Sequence, residues 1–143
     1  MAILVCYYLG VAITSIYYSM IQKLAWVFAA VFVLVGVLGF VPGITTDGHL
    51  LGIFEVSTLH NIIHLATGIV AALVASSTEK STLFFKVFGV VYALVTVVGF
   101  VQGNTVLGLI GVNLADNLLH LAIAAVALYV GFVYKEAQSS PMM

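Results

Sequence analysis

Arginine is absent from this 143-residue chain, and four lysines and five acidic residues are its only formal charges besides four histidines. A soluble fold needs polar side chains to cover its surface, and so few exclude one. The net charge of -1, with the lysines scattered, provides no basic field, which sets aside nucleic-acid binding by counterion release. The single cysteine, Cys6, excludes an internal disulfide and has no Cys-x-x-Cys partner. Enzyme signatures are missing too: there is no nucleophile elbow, no phosphate-cradling glycine loop with lysine and no His-Glu-x-x-His. The chain is therefore not expected to be an enzyme.

What is present is apolar: 64% of the residues are hydrophobic, and the mean hydropathy is +1.27. A bilayer core about 30 Å thick takes about 20 apolar helical residues. Four stretches meet that length: Ile21 to Val41, Thr58 to Ser76, Leu83 to Val101 and Asn113 to Tyr134. They predict an all-α integral membrane fold of four transmembrane helices. A Pro42-Gly43 loop with Asp47-Gly48-His49, a polar turn from Ser76 to Ser81, and a Gly103-Asn104 loop separate them. Lys23, Lys80, Lys86 and Lys135 fall at one set of helix ends, and Asp47, Glu55 and Asp116 at the other. Positive-inside logic puts the lysine ends and both core termini in the cytoplasm, with Trp26, Phe84, Phe85 and Tyr134 as an interfacial belt on that side. Residues 1–19 are apolar but lack the features of a signal peptide. They are expected to be a dispensable extension: an extra helix, an interfacial segment or a start-site artefact.

The chain also repeats itself. Gly39-Phe40-Val41-Pro42-Gly43 is echoed by Gly99-Phe100-Val101-Gln102-Gly103. Further on, Leu51-Gly52, Val56, Asn61 and His64-Leu65 recur as Leu107-Gly108, Val112, Asn117 and His120-Leu121, with the second loop four residues shorter. Two parallel helix-hairpin units follow, 20–80 and 81–135, with a polar tail over 136–143. Each unit holds two spans, so both enter the membrane in the same direction, about a pseudo-twofold axis along its normal. The Gly-x-x-x-Gly pairs 39/43 and 99/103 predict close helix crossings.

The second and fourth spans carry the candidate chemistry. Ser57 and Asn113 are suited to N-cap them. Positions four apart share a helix face, so His60 lies over His64 and Asp116 over His120, with Asn61 and Asn117 beside them. Ionisable residues inside a membrane are a functional-site hypothesis by default. If the two seams converge, His60, His64, Asp116 and His120 form a ligand set for zinc or another divalent transition metal. In a second version, His64 and His120 alone are the axial ligands of a tetrapyrrole, haem or chlorophyll. The preferred expectation is structural: Asp116 bonds a histidine, and Asn61 and Asn117 bond loop backbone, locking the hairpins together. Glu55, whose counterpart in the second unit is Gly111, and His49 are expected to be solvated outer residues.

The segment Leu51-Gly52-Ile53-Phe54-Glu55-Val56, with Leu59-His60-Asn61-Ile62-Ile63-His64-Leu65 and the later Val112-Asn113-Leu114-Ala115-Asp116-Asn117-Leu118-Leu119-His120-Leu121, resembles domain-of-unknown-function family 4383. The resemblance runs from about Met20 to Tyr134, with Leu118 where an aromatic is often found. It implies a small four-helix protein of the bacterial plasma (inner) membrane, with no assigned activity. A structural or accessory role is expected, through helix-helix association as a homo-oligomer or as a subunit of a larger complex. Metal or tetrapyrrole binding is the alternative.

Overall fold

The computed structural model describes residues 19–134. The expectations for the N-terminal extension and for the 136–143 tail therefore lie outside the described residues, save Ser19. Helix α1, Met20–Leu38, starts on a reciprocal cap: the Gln22 N–H donates to Ser19 Oγ at 3.2 Å, and the Ser19 N–H donates to Gln22 Oε1 at 2.8 Å. Ser57 caps α2, Thr58–Val74, and Ser77 caps α3, Thr78–Gln102. Asn113 caps α4, Leu114–Leu128, which runs on into a π-helical turn over Tyr129–Val133. The polar turn predicted from Ser76 to Ser81 thus ends at its cap, and α3 starts five residues before the expected Leu83.

The connections at the opposite end of the bundle are more ordered than the loops predicted from sequence. Antiparallel two-residue strands β1 (Thr45–Thr46), β2 (His49–Leu50) and β3 (Phe54–Glu55) pair in that order between α1 and α2. Between α3 and α4 only β4 (Thr105–Val106) and β5 (Ile110–Gly111) form. The four-residue shortening removes a strand and its Asp47-Gly48 turn, whose left-handed φ values of 50° and 75° suit a tight hairpin. Leu51-Gly52 and Leu107-Gly108 turn alike, at φ 56° and 70° against 55° and 69°. A leucine in this region is strained, and the same strain occurs in both halves.

Three helical stretches are long and apolar enough to cross a membrane: Met20–Leu38, Thr78–Gln102 and Leu114–Val133. At 17 residues α2 is shorter, about 26 Å at 1.5 Å per residue, near the lower bound for a span. The fold is all-α with four helices, as predicted, and α1 packs chiefly on α2, and α3 on α4. Where the halves meet, α1 and α3 interleave an aromatic core in which Phe28 meets Phe85 and Phe88 edge-on, and Phe32 meets Phe88 and Tyr92. Phe85 is fully buried there, so it is a core residue rather than part of an interfacial belt, whereas Trp26 is 46% exposed. Large apolar side chains such as Leu73 and Val101 point outward, as a lipid-facing surface requires.

Only half of each Gly-x-x-x-Gly reading describes a crossing. A Cβ on Gly39 would collide with the Asn61 side chain, and one on Gly99 with that of Asn117. Gly43 and Gly103 instead adopt φ of 87° and 83° in open turns. Gly36 and Gly68 complete the close approach of α1 to α2, and Gly89 and Gly131 that of α3 to α4.

A candidate metal centre between the helix starts

The hairpin end of the bundle brings the polar seams of α2 and α4 together. Ser57 Oγ accepts from the His60 N–H at 3.2 Å, and Asn113 Oδ1 from the Asp116 N–H at 3.0 Å, which fixes where each helix starts. One turn in, His60, Asn61 and His64 on α2, and Asp116, Asn117 and His120 on α4, are all buried. The two halves are then tied across the gap. Asp116 Oδ2 accepts from its own cap, the Asn113 N–H, at 2.8 Å and from the Glu55 N–H of β3 at 3.0 Å. Asn113 Nδ2 donates to the Ile53 carbonyl at 2.7 Å. These bonds set the depth of one helix start against the other.

That register places three imidazoles around one point. The ring centroids of His60 and His64 are 4.6 Å apart, those of His60 and His120 5.9 Å, and those of His64 and His120 6.4 Å. One ring nitrogen of each lies within 4.8 Å of those of the other two. At Zn–N bonds of about 2.0 Å, tetrahedral ligand nitrogens sit about 3.3 Å apart, so side-chain adjustment alone would close the site. The Nδ1 atoms of all three rings have no hydrogen-bond partner among the described residues. The His60 ring lies beside the backbones of Glu55 and Gly111, at the foot of the two hairpins.

Of the four proposed metal ligands, the structure brings His60, His64 and His120 together. Asp116 stands beside His60, but its carboxylate is engaged as a cap and cross-link rather than bonding a histidine. Asn61 and Asn117 are packed on Gly39 and Gly99, and their Oδ1 atoms have no hydrogen-bond partner among the described residues, instead of bonding loop backbone. Phe32 lies 5.2 Å from His64 and Tyr92 5.4 Å from His120, centroid to centroid, walling the cage on its inner side. A groove of about 660 Å³ extends from the histidines between α2 and α3, past Thr67 and Val91 to Lys80. His49 lies apart, its Nδ1 2.8 Å from the Asp47 carbonyl oxygen in the β1–β2 turn.

Glu55 was expected from sequence to be a solvated outer residue, with no part in the site. It is half-buried on β3, and its carboxylate lies over Gly111, where a Cβ would strike it. The signal available was the mismatch itself: a glutamate in one half facing a glycine at the matching position of the other.

Neither the curated proteins nor the solved structures include a match to this chain. A family model does match, over residues 22–133, which take in the four helices except the first two residues of α1, and every residue of the cage. The chain belongs to the family described as Domain of unknown function (DUF4383).

Proposed function

We propose that this protein is a small, non-enzymatic, multi-pass protein of the bacterial plasma membrane that holds a divalent transition metal with His60, His64 and His120. One observation carries the reading: three buried imidazoles from two separate helices bring nitrogens to within 4.8 Å of one another, and their Nδ1 atoms have no partner among the described residues. An unpaired buried polar group costs about 1–3 kcal/mol, so three in one place are costly unless a ligand satisfies them. Neutral imidazole suits zinc, copper, nickel and iron rather than calcium or magnesium.

An ion fits the site better than a tetrapyrrole. A macrocycle held by His64 and His120 needs a flat slot between the two rings, and the His60 ring stands next to both, with Phe32 and Tyr92 behind. The accessory role through helix-helix association, as a homo-oligomer or within a larger complex, is compatible with a metal that ties the two halves. Lysines at the ends of the helices away from the hairpins support a cytoplasmic position for both core termini.

The test uses the full chain purified in mild detergent, equilibrated with Zn(II) or Co(II) and freed of excess. About one bound metal per chain, lost in His64→Ala and His120→Ala, is the expected result. A wild type that binds none overturns the reading. A tetrapyrrole absorption band in the purified protein would favour the other cofactor.

A further inference from the structure

Outside the cage, the hairpin end carries one carboxylate that the cap and the cross-link do not use, the side chain of Glu55. Glu55 and Asp116, one from each half, are brought together by the Glu55 N–H, which donates to Asp116 Oδ2 at 3.0 Å, next to the His60 ring. Two carboxylates placed together repel unless a cation lies between or near them. His60 is 4% exposed and stands between this acidic pair and the two deeper histidines. Its ring lies beside the Glu55 and Gly111 backbones, and its Nδ1 has no hydrogen-bond partner among the described residues. The opposite way in, along the α2–α3 groove, is lined almost wholly by apolar side chains such as Val70, Val87 and Val91, with a lysine, Lys80, at its far mouth. A hydrated dication is disfavoured there twice, by desolvation and by like charge.

We infer that the metal enters the histidine cage from the hairpin end, captured first by the Glu55 carboxylate and passed inward past Asp116 and through His60. The inference rests on the metal-site reading and adds a direction and a capture residue to it. Charge also balances along this route, because two carboxylates offset a dication held by three neutral imidazoles. Glu55 is the residue to probe. Its backbone N–H makes the cross-link to Asp116, so side-chain changes leave that bond in place. Gly111 leaves room for its carboxylate to turn.

The experiment mixes the full chain in detergent or nanodiscs rapidly with Co(II) and follows ligand-field absorbance. Glu55→Gln should slow association about three- to tenfold at low ionic strength, with the difference shrinking at high salt. Glu55→Asp keeps the charge and should stay near the wild-type rate. Glu79→Gln, at the lysine end, should leave the rate unchanged. If Co(II) binds but Glu55→Gln loads as fast as the wild type, or if Glu79→Gln slows it equally, entry past Glu55 is wrong and the metal site stands. If the wild type binds no Co(II), both readings fall together.

Discussion

At the scale of single residues, the decisive contacts are two asparagines laid on two glycines. Gly39 and Gly99 have no side chain because the Asn61 and Asn117 amides occupy that space. An added methyl must displace a buried polar group, and overpacking of this kind costs about 1–3 kcal/mol. Gly39→Ala and Gly99→Ala should each lower stability by that amount in a detergent unfolding titration. Pairing Gly39→Ala with Asn61→Ala should recover part of the loss, since the collision partner is gone; a strictly additive double variant would contradict the contact. Sequence alone marked all four residues through the repeat. It assigned Gly39 with Gly43 to one crossing because spacing does not show where the helix ends, and α1 stops at Leu38, leaving Gly43 in a turn.

At the scale of elements, the start of α4 does more than begin a helix. Its Asp116 is at once the N3 carboxylate of a capping box and the acceptor for β3 of the other half. Asp116→Ala should therefore destabilise the fold by about 1–2 kcal/mol, as loss of a cap does, while the chain still takes up metal through the three histidines. Metal content measured on this variant separates the two roles, because loss comparable to that in His64→Ala would make Asp116 a ligand after all. The caps at Ser57 and Asn113 were legible from residue type and position. The second bond of Asp116 was not, since it depends on a strand of two residues that no periodicity reveals.

At the scale of the whole molecule, the cage is shared between halves whose main packing is internal: α1 on α2, and α3 on α4. His60 and His64 come from one half and His120 from the other, so a bound metal would clamp the halves together. Ligand that binds only the folded state raises stability with its concentration. The unfolding temperature of the wild type should accordingly rise with added Zn(II) and fall with a chelator, and His120→Ala should show neither response. An equal rise in His120→Ala would place the metal elsewhere.

The sequence by itself determined the solvent, the four helices and the candidate residues. Scarcity of charge leaves only lipid to cover so apolar a surface, and period and length then follow from the bilayer. It also marked His60 with His64, and Asp116 with His120, as a seam on each of two helices, because positions four apart on a helix share a face. Only the tertiary structure decided which of them meet. The register of α4 against α2 is set by Asp116 on Glu55 and Asn113 on Ile53, contacts between residues about sixty positions apart. That register turns three imidazoles toward one point, holds the aspartate as a cap and cross-link, and stands Glu55 over the glycine that matches it in the other half.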